Sequence, residues 1–118
     1  MTSLPERSEP SEPSEPFGFD VIRDDSSALV APVGELDLAA HGELGPAIDE
    51  VRRSGVDRLT LDLRRVSFMD STGLRLVLEL RAAAAADGFD LELIPGPPDV
   101  QRIFELSGTL DVLPFVTT

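Results

Sequence analysis

Residues 67–74, with the sequence SFMDSTGL, determine how the rest of the chain is organised. Before them, the leucines of residues 58–63 alternate with polar residues, and this period of two predicts a strand. After them, an apolar and alanine-rich run over residues 71–87 ends at Gly88, which predicts a helix with a glycine stop. The stretch therefore joins a predicted strand to a predicted helix, and Asp70 is placed to cap free N–H groups of that helix.

The start of this helix displays a hydroxyl group. Ser71 is expected at the positive end of the helix dipole, a position that suits modification by phosphate or contact with a partner. Ser71, Arg75 and Glu79 fall on one line of the helix, with Thr72 beside them. Apolar residues cover most of the remaining circumference: Leu74, Leu76, Val77, Leu78 and Leu80. We therefore expect a largely buried helix whose exposed part is this narrow polar strip, and we expect the strip to face a partner.

An antiparallel hairpin is expected at the start of the folded region. Residues 17–21 alternate between apolar and other residues and predict a first strand, which ends before a turn at residues 24–26. Residues 28–36 predict the second strand. Pro32 lies inside it and removes a donor from the ladder, so we expect an edge position or a bulge there.

A helix is expected between the hairpin and the strand predicted over residues 58–63. Leu44, Ile48 and Val51 are spaced at i, i+4 and i+7. Because a proline is tolerated only in the first turn, Pro46 predicts that this helix begins at Glu43 or later.

The C-terminal region is expected to hold a strand, a rigid turn and a short helix. Residues 89–93 alternate as a strand, and residues 95–98 form a proline-rich turn. Asp99 is expected to cap a helix that Ser107 and Gly108 end, and its apolar residues are Val100, Ile103, Phe104 and Leu106. Residues 110–116 are expected to form a short strand or a turn.

These elements predict one α/β domain. The length of 118 residues suits a single domain, and strands that alternate with helices after a hairpin indicate a mixed sheet with packed helices. We assign the domain to residues 17–118. Residues 1–16 contain three Ser-Glu-Pro units, whose regular prolines oppose helix and sheet formation, so a disordered tail is expected.

The composition argues against several classes of function. A net charge of −12 opposes binding to nucleic acid, whose phosphates would be repelled. The chain has no cysteine, which excludes disulfides and thiolate metal sites. No apolar run approaches the ~20 residues that span a bilayer, and the acidic, proline-rich N-terminus is unlike a secretory signal. We therefore expect a cytoplasmic protein with no nucleic-acid or membrane partner.

Catalytic chemistry at the serine or its neighbouring carboxylates finds little support. A serine hydrolase needs a base, but His41 lies near the weak start of its helix and the chain has no Gly-x-Ser-x-Gly motif. Asp37 ends the second strand, and a parallel pairing with residues 58–63 would bring it to the same edge as Asp70 and Ser71. Such carboxylates bind Mg²⁺ in receiver domains, which also use a lysine that this chain lacks. We expect no enzyme and no cofactor.

Two pieces of the sequence together resemble the signature of a known family. One is GELD at Gly34–Asp37, which ends the second strand, and the other is FMDSTGL at Phe68–Leu74. They resemble the STAS family, specifically the anti-sigma-factor antagonists of bacteria. The likeness extends from about Phe17 to Phe115 in the order and spacing of elements. It implies a STAS domain in which Ser71 is the phosphoacceptor.

The resemblance also implies a function and partners. The unphosphorylated protein binds an anti-sigma factor that is also a serine kinase, and this binding releases a sigma factor. The kinase then phosphorylates Ser71 and ends the interaction, and a phosphoserine phosphatase restores it. The alternative is a STAS scaffold without phosphorylation, in a sensory or transport-associated complex. The expected partner-binding residues are Glu35, Asp37, Asp70, Ser71, Thr72, Gly73, Arg75 and Glu79.

Arg75 departs from the family motif, which usually has glycine at this position. It lies one helical turn after Ser71, so it is placed to neutralise part of the charge of a phosphoserine. Alternatively, it pairs with Glu79 one turn further on, although arginine before glutamate is the weaker orientation for such a pair.

Overall fold

The computed structural model of the protein describes residues 17–116, so the tail expected over residues 1–16 lies outside the described part. Strands and helices alternate along this part in the following order: β1 (Gly18–Asp24), β2 (Ser27–Leu36), α1 (Leu38–Arg53), β3 (Arg58–Asp62), β4 (Val66–Met69), α2 (Ser71–Asp87), β5 (Asp90–Ile94) and α3 (Pro98–Ser107).

A mixed sheet organises the domain. β1 and β2 form an antiparallel hairpin, and β2 also runs parallel to two different strands, β3 along residues 27–30 and β4 along residues 34–36. β5 extends the sheet in parallel on the far side of β3. The predicted α/β fold, with a mixed sheet opened by a hairpin and covered by packed helices, is confirmed.

β4 is a strand that the sequence pattern did not predict. It lies between the strand predicted over residues 58–63, which is β3, and the helix at Ser71, so β4 is the strand that leads into this helix. Val66 and Met69 are buried whereas the two residues between them are exposed, so the strand shows no alternation. With only four residues, β4 is defined by its pairing to β2 and not by its own pattern.

Pro32 lies in an interior strand and not at an edge, contrary to one of the two expectations for it. The pairing of β2 with β3 ends at Val30, and the pairing with β4 begins at Gly34, so Pro32 faces no partner residue on that side. The register shifts between Gly34 and Glu35, where Gly34 has a φ of +102° that other residues rarely adopt. The irregularity therefore lies close to the proline but not at it.

One hydrophobic core lies between the sheet and the helices. Leu59, Leu61 and Leu63 are fully buried, as their alternation predicts, and Val77 of α2 and Phe104 of α3 complete the interior above them. Burying a side chain of this size contributes roughly 1.5–3 kcal/mol. The apolar face predicted for α2 is therefore the face that fixes this helix on the sheet.

α1 begins at Leu38 and contains Pro46, so the prediction of a start at Glu43 or later is wrong. A stripe of buried residues already starts at Ala40, and burial of that stripe outweighs the local cost of the proline. Pro46 removes the hydrogen bond to the carbonyl of Gly42, but Gly42 is exposed, so water can reach this carbonyl.

The C-terminal region contains one further correction. The N-cap of α3 is Pro97 and makes no side-chain hydrogen bond, so Asp99 is not the cap but a residue of the first turn. A carboxylate in that turn still interacts favourably with the helix dipole. The segment after α3 consists of turns and one isolated bridge between Leu93 and Phe115, in agreement with the expected short strand or turn.

Candidate functional site

The ends of β2 and β4 bring two aspartates to the same edge of the sheet. Leu36 and Met69 are paired in the parallel ladder, and each is the last residue of its strand. Asp37 and Asp70 follow directly, so they emerge side by side. The predicted neighbourhood of the two carboxylates is confirmed, although the strand beside β2 at this point is β4 and not β3.

Both aspartates act as helix N-caps. The Asp37 side chain accepts a hydrogen bond from the backbone N of Ala40 at 3.1 Å and starts α1. The Asp70 side chain accepts from the backbone N of Thr72 at 2.9 Å and of Gly73 at 3.3 Å, and starts α2. Such a cap contributes about 1 kcal/mol. The carboxylates therefore orient two helix starts at this edge, which we call the Ser71 edge.

The polar strip predicted on α2 is present. Ser71 is the first residue of α2, and Ser71, Arg75 and Glu79 are exposed, while Thr72 beside them is half-buried. Arg75 and Glu79 form no ion pair with each other. Instead, Oε1 of Glu79 lies 3.3 Å from Nε2 of His41 on α1. The strip is thus tied to α1, and Arg75 retains a guanidinium that Glu79 does not bind.

Gly73, which the sequence suggested as a partner-binding residue, is buried. A Cβ atom at Gly73 would lie 2.6 Å from the carbonyl O of Leu36 and would also overlap Cγ of Met69. The residue therefore allows α2 to approach the ends of β2 and β4 closely. Its role is to seat the helix that presents Ser71.

Two exposed apolar residues belong to the Ser71 edge and were not identified from the sequence. Leu38, directly after Asp37, is 74% exposed, and Phe68, two residues before Asp70, is 50% exposed. Glu35, which the sequence suggested as a partner contact, is exposed and paired with Phe68 across β2 and β4. Exposure at these positions depends on the pairing of β4 with β2, which no local pattern reveals.

Features of other kinds of site are absent from the described part. Within residues 17–116, no hydrogen bond joins His41 to Ser71, and no group of three or more His, Cys, Asp or Glu side chains is placed to hold a metal ion. The helices of this part include none that is long and apolar enough to cross a bilayer. What the edge offers is the exposed Ser71 at the capped start of α2.

Comparisons with known proteins identify the family. The family model described as "Mlab, STAS domain" matches residues 19–114. An anti-sigma-B factor antagonist of Staphylococcus aureus is 31% identical over 80 residues, which cover 68% of this chain and 74% of the relative. The match to the family model spans most of the chain, and this relative carries the antagonist name.

Solved structures share the fold. The anti-sigma factor antagonist SpoIIAA in its unphosphorylated form aligns with a TM-score of 0.72 and 25% identity, covering 85% of this chain and 89% of that one. The Bacillus SpoIIAA in its phosphorylated form aligns with a TM-score of 0.66 and 24% identity, covering 85% and 92%. The family model over residues 19–114 and the 31% identity to the staphylococcal antagonist show that the chain belongs to the STAS-domain family of anti-sigma-factor antagonists.

Proposed function

We propose that this protein binds an anti-sigma factor through the Ser71 edge and thereby releases a sigma factor. The observation that carries the proposal is the placement of Ser71: it is exposed, it is the first residue of α2, and it directly follows Asp70, the N-cap of that helix. The names of the relatives, anti-sigma-B factor antagonist and anti-sigma factor antagonist, support this function. The protein acts as a cytoplasmic binding module and not as an enzyme.

The same edge is proposed to be the switch. The anti-sigma factor is also a serine kinase that phosphorylates Ser71, and a phosphoserine phosphatase reverses the modification. Phosphate adds roughly −1.5 to −2 charges at pH 7. The helix dipole favours a negative charge at this position, so the fold tolerates it.

The consequence for binding is electrostatic. The new charge lies beside Asp37 and Asp70, on the surface where the partner docks. Like-charge repulsion and the cost of desolvating the phosphate then weaken binding, by up to several kcal/mol at a buried contact. The switch changes affinity without rearranging the domain. SpoIIAA, which shares this fold, has been solved in an unphosphorylated and in a phosphorylated form.

Phosphate incorporation is the decisive measurement. The purified protein is incubated with ATP and candidate anti-sigma factor kinases, and the phosphate is mapped by mass spectrometry. Ser71→Ala is expected to abolish incorporation and to keep partner binding, whereas Ser71→Asp is expected to weaken binding with little change in thermal midpoint. Ser26→Ala is the matched control, because Ser26 is an exposed serine in the turn between β1 and β2, at the opposite end of β2 from the Ser71 edge.

Three outcomes contradict parts of the proposal. Unchanged incorporation in Ser71→Ala shows that another residue is the acceptor, with the neighbouring Thr72 the first to test. A protein that binds an anti-sigma factor but accepts no phosphate from any kinase supports the scaffold alternative. Loss of cooperative unfolding in Ser71→Asp shows that the charge acts on the fold and not on the interface.

A further inference from the structure

Large apolar side chains are exposed at only a few positions of the described part. Single exposed apolar residues are ordinary on a protein surface, so their number alone indicates nothing. Two of them, Leu38 and Phe68, lie at the Ser71 edge, on the two chain segments that lead into and out of the capping aspartates. The two residues are therefore distinguished by their position beside the capping aspartates and not by their exposure alone.

Phe68 forms part of a groove beside the edge. The groove lies between β4 and α3, has a volume of ≈ 310 Å³, and is lined by Ser67, Phe68, Met69, Asp99, Arg102 and Ile103. Apolar side chains and the aromatic ring form its wall, and a carboxylate and a guanidinium complete the lining. A groove of this composition accepts an apolar side chain that has a polar group close by.

Leu38 lies at the same edge, directly after Asp37. It is the first residue of α1, and Leu36, two residues earlier, is paired with Met69 at the end of β4. Leu38 therefore directly follows one capping aspartate, Asp37, and Phe68 lies two residues before the other, Asp70. Ser71 directly follows Asp70 and is exposed at the start of α2.

We propose that Leu38 and Phe68 are the apolar anchors of the interface with the anti-sigma factor, and that Phe68 with its groove receives an apolar side chain of that partner. The inference rests on the function proposed above. The edge that carries the anchors also carries Glu35, Asp37 and Asp70, so the matching surface of the partner combines apolar groups with basic groups. Buried aromatic residues typically carry much of the binding energy of an interface.

The experiment compares three variants with one partner. Phe68→Ala is expected to weaken binding of the unphosphorylated protein to the anti-sigma factor by about 10- to 100-fold, and Leu38→Ala by about 3- to 10-fold. Phe68→Leu, which keeps an apolar side chain in the groove, should retain most of the affinity. Leu106→Ala is the matched control, because Leu106 is 75% exposed on α3 and is not one of the groove residues.

The outcomes separate this inference from the proposed function. If Phe68→Ala binds with full affinity while Ser71→Asp still binds weakly, the inference about the anchors is wrong and the proposed function stands. Absence of binding in the wild-type protein overturns both. If the wild-type chain associates with itself and Phe68→Ala abolishes this association, the apolar pair binds a second copy of the chain and the proposal is wrong. Thermal unfolding of each variant distinguishes a lost contact from a lost fold.

Discussion

Replacing Gly73 by alanine is expected to destabilise the domain, although alanine is the better helix former. At an ordinary helical position this substitution stabilises by about 1 kcal/mol. Gly73 is not an ordinary position, because its Cα faces the carbonyl O of Leu36 and the side chain of Met69. Helix propensity therefore predicts that this substitution raises the stability of the domain, whereas packing predicts that it lowers the stability.

The distances from the new Cβ atom to its neighbours show that the packing effect is larger than the effect of helix propensity. The new Cβ atom would lie 2.6 Å from the Leu36 oxygen, a separation that real Cβ atoms essentially never show. The Leu36 oxygen belongs to the backbone of β2, which is paired with β4 at this point, and the other overlap is with Cγ of the buried Met69, close to that residue's own backbone. Overpacking of this kind costs about 1–3 kcal/mol, and the backbone contact places it in the upper half of that range. The net destabilisation is about 1–2 kcal/mol, or roughly 4–16 °C in thermal midpoint for a domain of this size.

Thermal and urea unfolding, followed by circular dichroism, measure the effect. Gly42→Ala is the matched control: Gly42 is inside α1, and a Cβ atom there meets nothing within 4 Å, so this variant should gain up to about 1 kcal/mol. Gly45 is a poorer control because it precedes Pro46, whose ring restricts the residue before it. A Gly73→Ala midpoint at or above that of the wild type would refute the packing argument.

Three other changes test separate parts of the structure. The Arg64 guanidinium donates hydrogen bonds to the buried Asp62 and holds the pKa of this carboxyl below its ordinary value. The ionised Asp62 therefore contributes stability that is present above about pH 4. This contribution is lost as the pH falls through the lowered pKa. Asp62→Asn should therefore lower the thermal midpoint most at neutral pH, with the difference from wild type narrowing in acid. Arg75→Gln should widen the ratio of partner affinities of the unphosphorylated and phosphorylated forms by about twofold at low salt, and an unchanged ratio would show that Arg75 contacts neither phosphate nor partner. Deletion of residues 1–16 should leave the thermal midpoint within about 2 °C, and a large drop would show that these residues pack on the domain.

Elements with strong local signals were predicted at their observed positions. α2 covers residues 71–87, because Asp70 caps its start and Gly88 ends it in the left-handed conformation, with a φ of +78°. Both signals are contained within a few residues of the sequence. The capping role of Asp70 likewise follows from residue type and position alone.

Elements defined by distant contacts were not predicted. The first turns of α1 exist because Asp37 caps them and Ala40 is buried in the core, and neither fact is visible beside the helix-breaking signal of Pro46. β4 is a strand only because β2 continues past the end of β3 and offers it a partner. For the same reason, the exposure of Phe68 was not predicted. The surface around Ser71 thus depends on the pairing of strands that are separated in the chain.

The pairing of β2 with three other strands has a consequence for hydrogen exchange. Opening β2 separates the hairpin, the ladder with β3 and the ladder with β4 together, so its amides should exchange only through global unfolding. Because β2 and β4 end directly at Asp37 and Asp70, the slowest-exchanging part of the molecule supports the residues around Ser71. Under the switch proposed here, a kinase would meet this serine on a surface that is already formed, and the modification would alter the affinity of that surface while the conformational ensemble beneath it stays the same.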